Sequence, residues 1–360
     1  MATTPFRLPR YRTGDSQLDS RLVGLLDEMG ATKDRDVLFE ILVSALKLAS
    51  DGADRLDLKI TSAALKEMRA AFRAFAPYRA IPKVTIFGSA RTQPDDPTYV
   101  QARDVAAAFA ARDWMVVTGA GPGIMTAGFE GAGRERSFGV NIRLPFEQAA
   151  NEYIAGDEKL VSMKYFFTRK LMLIKESRGF ISLAGGFGTL DETYELLTLQ
   201  QTGKAEPVPI VLLDEPGGDF WDDWLKFTKD KLAARGLIDD EDLGLFLVTD
   251  SAAACVEEIV GFYRNYHSLR WVGDVLVVRL EVSPSDDEID ALNDGFADLC
   301  TTGRIERTDA LPVEVTDDDR LDKARIALRL DIFKYGRLRS FIDTLNRLPS
   351  APPIAAPPPP

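Results

Sequence analysis

The sequence is poor in the residues that build metal and redox sites: its 360 residues hold two cysteines and one histidine. Cys255 and Cys300 stand in unrelated segments without C-x-x-C spacing. That excludes a disulfide framework and a zinc site and fits a reducing cytosol, with both thiols as small core residues. The lone His267 excludes a multi-histidine metal site, and its place after a helix-like run suits a helix C-terminal cap. Neither a metal nor any other cofactor is expected. Long apolar runs are missing too. Pro209–Leu213 and Val275–Val278 fall far short of the roughly 20 residues that span a bilayer, and Met1–Gln17 contains no apolar stretch of signal-peptide length. Basic excess is also absent: 44 Lys and Arg against 56 Asp and Glu leave a net charge of −12. Such a balance argues against a nucleic-acid partner gripped by phosphate neutralisation. The expectation is a cytoplasmic protein with no membrane and no nucleic-acid partner.

What is present is 45% hydrophobic and 28% charged residues, the make-up of an ordinary globular chain. Residues 1–80 read as a helical lead segment. Leu18, Leu22, Leu25, Leu26 and Met29 recur at helical spacing before Gly30, and Leu38, Ile41, Leu42, Ala45 and Leu46 share a face of a second helix. A third runs from Ala63 to Phe75. Residues 81–267 change to short apolar runs at Val84–Phe87, Trp114–Thr118, Phe138–Ile142, Gly179–Leu183, Val208–Leu213 and Leu245–Val248. Helical stretches separate most of them: Thr98–Arg112, Ile124–Gly133, Met163–Ser177, Thr189–Thr202 and Phe220–Arg235, with Ala252–Tyr266 at the end. This alternation predicts an α/β domain, a Rossmann-like parallel sheet with helices on both faces. Residues 270–348 read as a small α/β appendage, with strands at Asp274–Val282, Arg304–Thr308 and Ala324–Asp331, helices at Asp286–Thr301 and Tyr335–Leu348, and an acidic loop at Asp317–Asp319. Residues 351–360 are proline-rich and read as a disordered tail.

Three predicted strands end in small residues: Phe87-Gly88-Ser89-Ala90-Arg91, Thr118-Gly119-Ala120-Gly121-Pro122-Gly123-Ile124, and Ala184-Gly185-Gly186-Phe187-Gly188-Thr189-Leu190-Asp191-Glu192. A glycine turn feeding a helix leaves backbone N–H groups unpaired, and the helix dipole adds to their pull on an anion. One such loop alone is commonly a tight connection, and the second lacks the spacing of a dinucleotide fingerprint. Three on one sheet point to a phosphate cradle. Thr189 can cap the third helix or touch phosphate. Glu192, three residues on, has capping-box spacing, so capping and chemistry both remain open for it.

At this third loop the chain resembles the Lonely Guy (LOG) family of phosphoribohydrolases, whose members are often labelled possible lysine decarboxylases. The family pattern P-G-G-x-G-T-x-x-E matches Ala184 through Glu192, with Ala184 in place of the proline. An arginine–lysine pair on an upstream helix matches Arg169-Lys170, and the first-strand G-S-x segment matches Gly88-Ser89-Ala90. The resemblance covers about half the chain, from Ile81 to Tyr266. It implies cleavage of the N-glycosidic bond of a nucleoside 5′-monophosphate, a cytokinin ribotide or an ordinary nucleotide, to free base and ribose 5-phosphate. By position it makes Arg169 and Glu192 the catalytic pair and gives the phosphate to Gly185, Gly186, Gly188 and Thr189. Gly88, Ser89, Gly121 and Lys170 are further substrate-binding candidates, and a homo-oligomer with sites near subunit contacts is implied. A pyridoxal-phosphate lysine at Lys170 has no supporting residues. The alternative is a nucleotide sensor that uses the same cradle without turnover.

Overall fold

A computed structural model describes residues 7–143 and 151–354. The chain divides into two compact units, Met1–Glu67 and Met68–Pro360. In the first, α1 (Ser16–Glu28) and α2 (Arg35–Ser50) pack Leu22 and Leu26 against Phe39 and Val43. The face expected to be buried on α2 is instead turned outward, with Leu38, Ile41 and Leu46 exposed. The stripe Phe39–Val43, one i,i+4 step, meets α1. A third helix, α3 (Arg55–Phe75), begins in this unit.

In the second unit the strands β1 (Lys83–Phe87), β2 (Met115–Thr118), β3 (Ser137–Ile142), β4 (Leu160–Met163), β5 (Gly179–Leu183), β6 (Ile210–Leu213) and β7 (Leu247–Thr249) form one sheet. Among the described residues all its pairings are parallel, in the order β4-β3-β2-β1-β5-β6-β7. Between them lie α4 (Pro97–Ala110), α5 (Ile124–Ala132), α6 (Phe166–Lys175), α7 (Phe187–Gln201) and α8 (Phe220–Phe227), with α9 (Ala252–Gly261) after β7. Strands β1, β2, β5 and β6 are buried along their whole length, as parallel strands covered on both faces must be. One face carries Val105 and Phe109 of α4, Ile124 of α5 and Ile259 of α9. The other carries Phe75 of α3, Leu173 of α6, Leu196 of α7 and Trp221 of α8. The predicted fold class therefore holds.

The strand order reverses at β1, which has β2 on one side and β5 on the other. Such a switch point splits neighbouring connections to opposite faces and leaves a crevice at the strand carboxyl ends. The three glycine loops follow β1, β2 and β5, the strands that bound that crevice.

Local readings fail where distant residues decide. Strand β4, an edge strand of four residues, was not expected; it ends on Met163, where a helix was expected to begin, and α6 starts only at Phe166. The helix expected over Ala252–Tyr266 stops at Gly261. Asn346 Oδ1 accepts from the amides of Asn265 and Tyr266, both at 2.8 Å, and Tyr266 opens a strand instead. That strand, β8 (Tyr266–Val272), carries His267, so the histidine is no helix cap; its Nδ1 meets Ser268 Oγ at 2.8 Å. Helix α8 likewise widens into a π-turn at Thr228–Leu232 and a 3₁₀ turn at Ala233–Arg235.

Strand β8 belongs to an antiparallel sheet with β9 (Val275–Leu280), β10 (Cys300–Arg307) and β11 (Ala324–Leu330), in the order β10-β11-β9-β8. Helices α10 (Asp286–Phe296) and α12 (Leu338–Arg347) cover one face through Leu292, Phe341 and Leu345. On β9 and β11, Arg279 and Arg325 bond the fully buried Glu314 of the short α11 (Pro312–Thr316). The acidic loop pairs with Arg270 and Arg279 through Asp319. The expected tail begins packed: Ala351 is buried and the Arg264 guanidinium donates to its carbonyl at 3.3 Å. Residues 355–360 lie outside the described residues.

Candidate active site

The loops after β1, β2 and β5 are bonded to one another before any ligand is considered. Ser89 N donates to Ala184 O at 3.3 Å, and Ile124 N donates to Ser89 O at 3.0 Å. Gly123, at φ +66°, lets the second loop pass against the first: a Cβ there would strike the Ser89 carbonyl. A Cβ on Gly185 would strike the Thr189 hydroxyl. Gly186 and Gly188 differ, since beyond their chain neighbours and the helix's own backbone nothing lies within 4 Å of a Cβ built on either. Protein packing does not ask for glycine there.

Over these loops opens a cavity of about 870 Å³. It is lined by Gly88 and Ser89 of the first loop, Gly119 and Gly121 of the second, and Gly185, Gly186, Gly188 and Thr189 of the third. Arg169 and Glu192 line it as well. Helix α7 starts at Phe187, two residues earlier than expected, with Gly186 as its N-cap and no side-chain cap. Glu192 therefore sits in the second turn, and the capping-box reading falls. Its Oε1 lies 3.4 Å from an Arg169 guanidinium nitrogen, with both side chains about nine-tenths buried. Arg169 is steered from below by Nε–H donation to the Val140 carbonyl on β3, at 3.0 Å. It fits because residue 119 is glycine: a Cβ there would fall within the guanidinium. Burial pushes the Glu192 carboxyl up to about 7, outweighing the pull of Arg169 in the other direction.

Lys170 is the predicted site residue that does not line the cavity. Its ammonium pairs with Asp191 at 3.0 Å and with Glu195, tying α6 to α7. Adjacent helix residues point about 100° apart, so both members of an Arg-Lys pair cannot face one pocket. The two carboxylates hold its pKa up against the opposing effect of burial, the reverse of what a Schiff-base lysine needs.

Four residues of the cavity were not proposed as site residues from the sequence. Met125 packs its thioether under the second loop, where Gly121 N approaches Sδ at 3.3 Å. Asn141 lines the cavity from β3. Phe166 and Phe187 stand at its mouth, the latter 93% exposed. Phe187 had a signal: it is a large apolar residue between two glycines, outside any hydrophobic period.

A parallel sheet with glycine loops and a helix N-terminus at its switch point defines the Rossmann-like class. Within that class, residues 123–259 match the family model described as "Possible lysine decarboxylase". The chain is 29% identical over 150 residues to a cytokinin riboside 5′-monophosphate phosphoribohydrolase of Mycobacterium marinum, covering 41% of this chain and 77% of that protein. It is 30% identical over 119 residues to a bifunctional cytokinin biosynthesis protein of Fusarium pseudograminearum, covering 31% of this chain and 23% of that protein. The chain thus spans less than a quarter of the Fusarium protein's length. The molybdenum cofactor binding protein of Rippkaea orientalis aligns with 49% of this chain and 94% of its own, at 18% identity and a TM-score of 0.35. The resemblance to the Lonely Guy family is borne out. Among the described residues no helix is long and apolar enough to cross a membrane.

Proposed function

We propose that the chain is a phosphoribohydrolase that splits nucleoside 5′-monophosphates into free base and ribose 5-phosphate. The observation that carries this reading is the buried Arg169–Glu192 pair, facing the glycine loops across one cavity. The names of the relatives point the same way. The substrate phosphate is held by backbone N–H groups from Gly185 to Thr189 at the α7 N-terminus, with Gly88, Ser89 and Gly121 closing the cradle. That anchor sets C1′ beside Glu192. As the C1′–N bond breaks, its electron pair leaves with the base nitrogen, which gains a proton, and positive charge develops on the ribose. The Glu192 carboxylate offsets that charge and takes a proton from the water that adds to C1′. Arg169 keeps the carboxylate oriented and helps bind the substrate's anionic end. A carboxyl with a pKa near 7 is suited to such proton exchange at neutral pH.

We extend the proposal to a cytoplasmic homo-oligomer. Phe166 and Phe187 are exposed at the cavity, and Phe167 and Leu171 are exposed on α6, apolar surface that a second subunit would cover. The test is to incubate the protein, with Glu192→Gln beside it, with a panel of 5′-monophosphates that includes cytokinin ribotides, following base and ribose 5-phosphate by chromatography. Base release by the wild type alone is expected. Tight nucleotide binding without release would replace the hydrolase with a sensor.

A further inference from the structure

A second cavity, of about 350 Å³, lies at the opposite ends of the two helices that carry the Arg169–Glu192 pair. Its walls include Ile174 and Lys175 at the end of α6 and Leu196, Leu199 and Gln200 along α7. Strand β8 closes it with Tyr266 and His267. At 1.5 Å per residue, Gln200 stands about 12 Å along α7 from Glu192, and Lys175 about 9 Å along α6 from Arg169.

The lining is apolar within and charged at the rim. Tyr266 is 1% exposed, yet its hydroxyl makes no hydrogen bond to any described group. A buried hydroxyl without a partner is costly, so such groups mark places where something else supplies one. At the rim, the Arg178 guanidinium lies over the Tyr263 ring, 5.1 Å from its centroid, with no acid within ion-pair reach among the described residues. Glu206 also lines the cavity without an ion-pair partner among them. Lys175 is already paired with Glu176 at 2.6 Å. Burial and the nearby Arg178 hold His267 down to about 4, so its imidazole is neutral. The polar groups of the cavity are thus one phenol without a hydrogen-bond partner and two opposite charges, Arg178 and Glu206, that attract each other without forming an ion-pair contact. A phosphate would leave Glu206 facing it. A neutral planar heterocycle with donor and acceptor edges meets all three and stacks within apolar walls.

We propose that this cavity is a regulatory site for a neutral, nucleobase-like heterocycle, and that its occupancy acts through α6 and α7 on the Arg169–Glu192 pair. The regulatory half rests on the hydrolase reading; the binding half does not. Adenine serves as the probe, titrated calorimetrically into the full chain, the wild type compared with Tyr266→Phe and Glu206→Gln. Tyr266→Phe removes a hydroxyl that bonds nothing described, so its fold and its turnover without adenine are expected to be unchanged. Each variant should weaken adenine binding at this site about tenfold, the scale of one hydrogen bond. In the wild type, adenine should also change kcat, and Tyr266→Phe should shift that response to higher adenine. Equal binding in all three proteins, or none, overturns the site. Inhibition identical in wild type and Tyr266→Phe would be occupancy of the catalytic cavity and overturns the coupling. Should no monophosphate be cleaved, the hydrolase reading fails alone, because the titration needs no turnover.

Discussion

Replacing Glu192 by glutamine separates the chemistry of the carboxyl from its burial. In the folded chain this carboxyl is pushed from the ordinary 4.5 to about 7 because burial outweighs Arg169. At ~1.4 kcal/mol per pH unit, holding the charged form in place costs roughly 3 kcal/mol above pH 7 and nothing below pH 4.5. The sign follows from proton counts. Between 4.5 and 7 the folded state binds more protons than the unfolded state, so stability falls as pH rises. Asp214 and Asp343 are also pushed up by burial, so the absolute slope is shared. Subtracting the Glu192→Gln curve from the wild-type curve isolates the Glu192 contribution. Urea unfolding at pH 5 and pH 8 should show the variant gaining on the order of 2 kcal/mol relative to wild type between the two, since part of the window lies below pH 5. Its turnover should meanwhile fall about 10²–10³-fold, the usual loss for one electrostatic contact to a transition state. Wild-type kcat/KM should rise with pH through about 7 as the carboxylate forms. An unchanged pH slope would refute the burial argument. Wild-type turnover in the variant would refute the catalytic one.

Gly119→Ala puts a methyl group where the Arg169 guanidinium lies, so kcat/KM should drop on the order of 10²-fold, as for other misplacements of about 1 Å; unimpaired kinetics would show that Arg169 can sit elsewhere. In Gly186→Val the added Cβ meets no protein atom, so the thermal midpoint should fall only by the cost of valine at a helix N-cap while nucleotide affinity falls, and equal affinity in a binding titration would count against the phosphate cradle. Lys170→Met should keep turnover within a few-fold and lose about 1 kcal/mol or less with the Asp191 and Glu195 pairs; activity as low as that of Glu192→Gln would return Lys170 to the site. Truncation at His267 removes Asn346, β9–β11 and all of β8 but its first two residues, so the shortened chain should unfold at markedly lower denaturant, and an unchanged midpoint would make the appendage independent.

The sheet was legible because its strands are apolar on both faces and flanked by glycine, so local pattern and buried position agree. Boundaries were lost where the deciding contact comes from far along the chain. Asn346, for example, ends a helix some 80 residues before it. The candidate site was legible in its glycines. Its charged pair was legible only through the family pattern, since Arg169 read by itself is a charge on a helix surface. Its burial follows from two remote facts, the Val140 carbonyl and the missing Cβ at Gly119. Lys170 stands apart from the cavity because adjacency in sequence is not adjacency on a helix. Nothing in the sequence announces that Glu192 titrates near neutrality, because that is a property of the enclosure and not of the residue.

The glycines of the cradle answer to two different demands. Gly119, Gly123 and Gly185 are required by the protein itself, to seat Arg169, to let two loops cross and to fit Thr189. Gly186 and Gly188 are required by no protein contact. If both kinds served packing alone, a side chain at 186 or 188 would be free to reach into the open cavity. Their bareness makes sense where a ligand must come within hydrogen-bond distance of the backbone, at the end of a helix whose first amides are unpaired. The packed glycines hold the loops in place beforehand, so a bound phosphate spends little of its binding energy on ordering them. Under the proposed hydrolase reading, that energy is left for placing C1′ against Glu192. A chain built only to sense the nucleotide needs the cradle but has no use for a buried carboxyl paired with an arginine beside it, and that contrast is what the proposed hydrolase reading rests on.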